Sequence, residues 1–434
     1  MNLTRLLPAL LLSSVLASAA NPEPRWWKGN LHTHTLWSDG DDYPEMVTDW
    51  YKKQGYHFLA LSDHNIMQVD QRWLVATNPT PGFKALAPYL QRFGTNWVHQ
   101  GETKGTAIVR LKTLAEFRST FEEPGRFLLI PAEEITDHFK NRAVHLIGVN
   151  LRDVIRPQGG TNVEATIQNN VNAVLRQRAA TGQPMFPHLA HPNFGWGVTA
   201  EDLMGVKGEQ FFEVYNGHAA VHNAGDAAHP GTERMWDIIL TQRLARLGEP
   251  PMFGLAVDDA HNYARLGRTR SNPGRGWVMV RAAQLTPETI VGALERGDFY
   301  SSTGVRVSEI NWETNRLALT IEQEPGATYT TQFIGTRRGF DPASQPVLGT
   351  NGLPLAITRT YSKDIGVLLA ETPGLTPSFK LKGDELYVRA KVISSKPKAN
   401  GVRSDEVESA WVQPQVTPLG WSVNQAAATR RQEK

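Results

Sequence analysis

Residues 56–65 read YHFLALSDHN, an uninterrupted apolar run that ends on Asp63 and His64. Hydrophobicity without alternation suits a strand buried on both faces, as in parallel α/β sheets. The same shape recurs at RFLLIP (126–131), AVHLIGVN (143–150), MFPHL (185–189), QFFEVY (210–215), MFGLAV (252–257) and WVMV (277–280). Helix candidates lie between several of these runs. Residues 43–54 carry Pro44 near their start and Gly55 just beyond; 161–180 stop near Gly182; 232–247 end at Gly248; 286–296 begin with Thr-Pro and end at Gly297. This alternation predicts a parallel α/β barrel or open sheet over about 26–299. Residues 83–112 have no clean period and read as an insertion with helical pieces over one face. After about 302 come short strand-like runs at 317–322, 329–335, 356–360, 366–369 and 386–393, separated by Gly, Pro, Asn and Asp. They predict a small antiparallel β domain.

Composition narrows the chemistry. The 434-residue chain has 45 basic and 43 acidic side chains, a formal charge of +2 and 40% hydrophobic residues, enough for a real core. No run of Lys and Arg supports nucleic-acid binding. The absence of Cys excludes disulfides, thiolate metal sites and a Cys nucleophile, so any transition metal must be held by His and carboxylates. Arg5, the apolar stretch 6–15 and Ala17-Ser18-Ala19 have the form of a secretory signal peptide. No later stretch is long and apolar enough to span a bilayer. The expected organisation is a signal peptide over 1–19, an α/β domain over 20–304, a small β-sandwich-like domain over 305–416 and a frayed polar tail over 417–434. The expected location is the periplasm or the medium, and the expected partner is a small-molecule substrate.

Histidines and carboxylates gather at the ends of the apolar runs. His32 and His34 alternate in NLHTHT, so one strand face can offer both imidazoles to one cation. Asp39 follows in SDG, His64 in LALSDHN, Glu133 and Glu134 in LIPAEEI, His145 in AVHLIG, His191 in HLAHPN, and Asp258, Asp259 and His261 in GLAVDDAH. Strand C-terminal ends converge on one face of an α/β fold, where active sites lie. One such residue means little, but so many at equivalent positions point to a metal centre. Glu133 competes with Glu134 for one position and Asp258 with Asp259 for another, and alternation predicts that Asp258 and Asp259 point to opposite sides.

Those segments, in that order, resemble the PHP family, named for polymerase and histidinol phosphatase domains. The resemblance covers about 26–304, and GDFYSSTG (297–304) further resembles an exported branch with carbaryl-hydrolase-like members. It implies a distorted seven-stranded β/α (TIM-like) barrel holding two or three divalent ions, Zn, Mn or Fe. The ligands it implies are His32, His34, Asp39, His64, Glu134, His145, His191, Asp259 and His261. Glu134 would bridge two ions, its register set by Ile135; Ala132 departs from the family's usual Gly. The implied reaction is hydrolysis of a small phosphoester by a metal-bridging hydroxide. The alternative is a carbamate, ester or amide, as in the carbaryl-type branch. A more distant alternative is a non-catalytic extracellular binding protein.

Further candidates come from the same segments. His188, Asn65 and Asp63 could assist catalysis, Asp63 by orienting an imidazole. Asn216 and His218 could reach substrate. Arg265, Arg268, Arg270 and Arg275 follow the last ligands, and a guanidinium there would suit a phosphate, with Arg268 and Arg275 as the nominated pair. Trp37 and Trp196 could wall an apolar pocket, although core packing is the simpler role.

Overall fold

The computed structural model describes residues 22–432, so the expected signal peptide lies outside the described residues. The first half contains β1 (Arg25–Asn30), α1 (Pro44–Lys53), β2 (Phe58–Leu61), β3 (Arg72–Val75), α2 (Pro81–Phe93), β4 (Gln100–Thr103), β5 (Thr106–Leu111), α3 (Leu114–Phe121), β6 (Leu128–Phe139), β7 (Arg142–Val149), α4 (Val163–Thr181), β8 (Phe186–Leu189), α5 (Ala200–Met204) and β9 (Phe211–Asn216). It continues through α6 (Thr232–Gln242), β10 (Phe253–Val257), β11 (Trp277–Ala282), α7 (Pro287–Glu295) and β12 (Phe299–Ser302). The C-terminal part holds β13 (Val307–Glu313), β14 (Arg316–Ile321), β15 (Tyr329–Arg337), β16 (Ser344–Gln345), β17 (Thr360–Tyr361), β18 (Val367–Pro373), β19 (Ser378–Lys380), β20 (Glu385–Pro397), β21 (Val407–Val416) and α8 (Pro418–Gln432).

The fold is mixed α/β around one sheet of 13 strands, ordered β10-β9-β8-β7-β6-β2-β1-β11-β12-β21-β20-β15-β18. The apolar runs from 56 to 280 all become strands of it, and the four helix candidates become α1, α4, α6 and α7. The sheet is not uniformly parallel. A two-residue turn at Lys140-Asn141 folds β6 straight back into β7, and β7–β8 and β1–β11 are also antiparallel. The sheet does not close into the expected seven-strand ring either. Both edges of β1 are already taken, by β2 and β11. Past their ends, β1 and β10 share a single bridge, Thr33 with Ala260. Side chains satisfy the free edge of β10. Gln413 accepts from Gly254 N and donates to Gly254 O, both at 2.9 Å, and Ser301 Oγ accepts from Ala256 N at 2.9 Å.

The insertion differs from its reading. It holds most of α2, and its strands β4 and β5 join β3, which precedes it, in a three-stranded antiparallel sheet ordered β3-β5-β4. The β4–β5 turn, Lys104-Gly105, has φ of 50° and 76°. Positive φ at both central residues matches the right-handed twist of a hairpin.

The C-terminal strands do not form a detached sheet. β12 passes the main sheet to β21, β20, β15 and β18, and β13-β14-β19 packs over this extension around Leu317, Phe333, Phe379 and Val388. Residues 418–432 are helical rather than frayed: α8 lies on β20 and on the π-helical turn 243–247 that ends α6. A buried ion pair ties α6 to β20. Asp237 accepts from Arg389 Nε at 2.8 Å, from Arg389 Nη2 at 2.6 Å and from Tyr387 OH at 2.8 Å. Breaking a buried pair from one side leaves an uncompensated charge, so Asp237→Leu should cost about 3–5 kcal/mol, read as a lower urea midpoint. The double variant Asp237→Leu/Arg389→Met should recover most of that loss.

Candidate metal centre

β6 carries two consecutive glutamates into different surroundings, as alternation requires. Glu134 is fully buried in the middle of β6, and its two oxygens face different donors. Oε1 lies 2.8 Å from His145 Nδ1 and 3.1 Å from His191 Nε2. Oε2 accepts no hydrogen bond of good geometry, yet stands 3.4 Å from His32 Nε2, 3.3 Å from His34 Nε2 and 2.9 Å from His64 Nδ1. Asp259 Oδ1 lies 3.3 and 3.1 Å from those same nitrogens of His32 and His34, which are 3.1 Å apart. Five separations of 3.1–3.4 Å link these four buried donors, and His32, His34 and Glu134 form one set, and His32, His191 and Asp259 another, close enough to hold a cation. The donor set therefore fits a divalent ion. A second group forms around Asp39, whose side chain is 56% exposed: His261 Nε2 lies 3.4 Å from Oδ1, His34 Nδ1 3.6 Å from Oδ1 and His64 Nε2 3.6 Å from Oδ2. Glu134, His64 and His145 make a third. All nine residues implied by the resemblance thus meet in one basin.

Alternation explains the unused neighbours. Glu133 points away and accepts from Ile155 N at 2.6 Å. Asp258 accepts from Tyr51 OH at 2.8 Å and from the backbone N–H groups of Gly274, Arg275 and Gly276. Three non-glycine residues of the basin hold positive φ: Asn65 at 52°, His191 at 22° and Asp259 at 48°. Such strain gathers at functional sites, where surrounding contacts over-determine the backbone.

Electrostatics follow from burial. Burial opposes charge on every member, yet the carboxylates and imidazoles override it for one another. Asp259, Glu213 and Glu134 hold His32 well above its ordinary range, and Glu134 and Asp39 push His64 up to about 11. Glu134 and Asp259 are held well below theirs by the imidazoles. His34, pressed by burial and by His261, falls to about 3. These carboxylates require positive charge, and divalent ions supply it by displacing imidazole protons.

Sequence reasoning missed one residue, Glu213, in the middle of FFEVYN. It is fully buried behind His32. Its Oε1 accepts from His32 Nδ1 at 2.7 Å and from His188 Nε2 at 3.1 Å; its Oε2 accepts from His191 N and Asn216 Nδ2, both at 2.7 Å. A carboxylate on Nδ1 fixes the His32 tautomer and turns Nε2 toward the centre. The available signal was a charged residue inside a wholly apolar strand.

Several proposed helpers have other work. His188 shares Glu213 Oε1 with His32, its Nε2 3.1 Å from that oxygen. Asp63 holds the loop after β1 rather than an imidazole, accepting from Thr35 N, Thr35 Oγ1, Ser38 Oγ and Gln68 Nε2 at 2.6–2.9 Å. Asn65 clamps Thr136, accepting from its N and donating to its O. Asn216 bridges Glu213 and Asp259. Arg275 is buried, with its guanidinium spent on the carbonyls of Gly217, Arg270, Gly267 and Asn400. Arg268 is exposed and lines a cavity with Lys28 and Trp277 that none of the nine donors lines. His218 does reach the basin, its ring 5.2 Å from that of His261. Trp37 is core, and Trp196 is stacked between His222 and His229 at 4.7 and 4.0 Å.

No protein-family model matches the chain, and no curated protein matches it. Among solved structures it is similar to a two-domain protein of Bacteroides vulgatus ATCC 8482 containing a predicted PHP-like metal-dependent phosphoesterase, at 14% identity and TM-score 0.41 over 91% of this chain and 97% of that one. It is also similar to an inferred metal-dependent phosphoesterase of Bifidobacterium adolescentis ATCC 15703, at 14% identity and TM-score 0.29 over 58% and 91%. Neither likeness is strong enough to assign an activity, and the donor geometry stands without them.

Two outcomes follow. Glu213→Gln should weaken metal binding about 10–100-fold in a chelator competition while leaving the fold intact. Glu133, raised by burial from 4.5 to about 7, stays protonated longer in the folded than in the unfolded chain. It therefore lowers stability as pH rises from about 4.5 through 7, and not below. Glu133→Gln, which still accepts from Ile155 N, should match the wild-type melting temperature at pH 4 and exceed it at pH 8.

Proposed function

We propose that the protein is a metal-dependent hydrolase of PHP type, exported by its N-terminal signal, that cleaves a small phosphoester. The observation that carries this reading is Glu134: one buried carboxylate offers each oxygen to a different donor group, as a residue bridging two ions must. The order of the motifs supports the family, and the signal-like N-terminus supports export.

His32 and His34 with Glu134, His32 and His191 with Asp259, His64 and His145 with Glu134, and His34, His64 and His261 with Asp39 are the groups that would hold the ions. Divalent ions held there supply Lewis acidity and an activated water near neutral pH. The chain contributes the rest. Glu213 and Asn216 keep His32 and Asp259 aimed inward. The Phe194 ring lies 5.2 Å from that of His191 and 5.8 Å from that of His218, forming an apolar wall that limits water. His218 Nδ1 accepts from Ala220 N at 3.1 Å, so the neutral ring carries its proton on Nε2. That N–H can donate to a substrate oxygen over the outer group.

The basin itself argues for phosphate. Six imidazoles but only three carboxylates contribute donors. Three divalent ions held by them would keep surplus positive charge even after Glu213 and a bound hydroxide are counted, which an anionic substrate neutralises and a neutral carbonyl does not. The carbamate or ester reading gains from one observation: Arg268 and Arg275, which favoured phosphate in the sequence, do not serve this basin.

Initial rates of the Mn- or Zn-reconstituted protein on nitrophenyl phosphate, bis-nitrophenyl phosphate and a nitrophenyl carbamate decide between them. The expected result is phosphate turnover that chelator removes and that His32→Ala/His34→Ala lowers by about 1,000-fold or more. Chelator-sensitive turnover of the carbamate alone would replace this reading with the carbonyl one. Activity surviving the double substitution would refute both.

A further inference from the structure

The arginine-rich loop after His261 is not absorbed by the metal centre. Arg265, Arg268 and Arg270 are exposed, and among the described residues their guanidinium groups make no hydrogen bond or ion pair. The loop borders a cavity of about 600 Å³ whose walls include Lys28, Trp50, Tyr56, Trp277 and Arg268. Lys28 Nζ stands 3.9 Å from the ring centroid of Tyr56 and 4.1 Å from that of Trp277. Among the described residues that ammonium also makes no hydrogen bond or ion pair. The Tyr56 and Trp277 rings meet its charge, and its N–H donors remain free to reach solvent or a ligand. Burial lowers Lys28 to about 8, so it remains mostly charged at neutral pH. The Tyr56 hydroxyl is buried without a hydrogen-bond partner.

We propose that this cavity is a second binding site, for an aromatic carboxylate whose anionic end takes Lys28 and Arg268 and whose ring lies against Trp50. The volume falls within the range of small-molecule sites. A cationic ligand is disfavoured because Lys28 already occupies the aromatic faces. A neutral ligand leaves both cations unanswered. A guanidinium and an ammonium lining one cavity suit a carboxylate, whose two oxygens can each accept. The site is separate from the catalytic basin in its residues, though the same loop connects them: His261 N donates to Ser271 O at 2.9 Å, and Gly274 N donates to Asp258 at 2.8 Å.

Calorimetric titration of the metal-loaded protein with 4-hydroxybenzoate tests the proposal, with 4-hydroxybenzyl alcohol as the neutral control. The expected result is one saturable site for the acid and none for the alcohol. Lys28→Met and Arg268→Ala should each weaken binding by about tenfold, as loss of a charge-assisted contact does. Binding should persist in His34→Ala, which damages the metal centre. Arg268 is exposed, so Arg268→Ala remains decisive should Lys28→Met fail to fold. No saturable binding up to about 10 mM, far weaker than a built site gives, would overturn the proposal. So would affinity unchanged in Arg268→Ala, or binding lost in His34→Ala, which would place the carboxylate on the metal ions.

Discussion

The structure depends on keeping one carboxylate charged in a place that water does not reach. Glu134 is fully buried, where an unpaired carboxylate is too costly to maintain and would be protonated instead. It remains an anion because imidazoles surround it, and the elements that bring those imidazoles are the fold. β1 delivers His32 and His34, β2 His64, β7 His145, β8 His191 and β10 Asp259. His32, His34, His64, His191 and Asp259 lie just past strand ends, whereas Glu134 and His145 sit within the paired β6 and β7, so six strands meet around one side chain. Positive φ at His191 and Asp259 shows backbone conformation given up to the same end.

A second layer keeps the first in register. Glu213 ties His32, His188, His191 and Asn216 together, and Asp63 ties the loop after β1 to the end of β2. The C-terminal strands belong to this support. Gln413 and Ser301 satisfy the free edge of β10, the strand just before Asp259. The β20–β21 hairpin reaches the loop after His261, where Asn400 accepts from Arg275 and donates to Pro273 O at 2.8 Å. Removing the β strands would therefore disturb candidate metal donors they never touch.

Much of this was legible in the sequence, because the physics is local. Continuous apolar runs mark buried strands, and Pro and Gly punctuate the helices. The register within AEEI and VDDA decides which carboxylate faces inward. Less visible were features that depend on partners distant in sequence. The hairpin at Lys140-Asn141 makes β6 and β7 antiparallel, yet both strands read as ordinary buried runs. The insertion sheet was announced only by Lys104-Gly105. Arg275 looked available because a sequence does not show which carbonyls surround a guanidinium. Glu213 was hidden by its apolar neighbours, although an acid in such a strand needs a buried partner. The α8 helix has small and polar residues with little apolar patterning, so its docking on 243–247 left no periodic signal.

The central claim is that Glu134 joins separate ions into one centre. Metal analysis of the purified protein, wild type beside Glu134→Gln, tests it most directly. The amide keeps the shape but removes the charge and one oxygen donor. Two or three tightly held ions per wild-type chain, with at least one lost in Glu134→Gln at unchanged fold, is the predicted result. An undiminished metal content in Glu134→Gln, or no retained ion in the wild type after reconstitution, would contradict it.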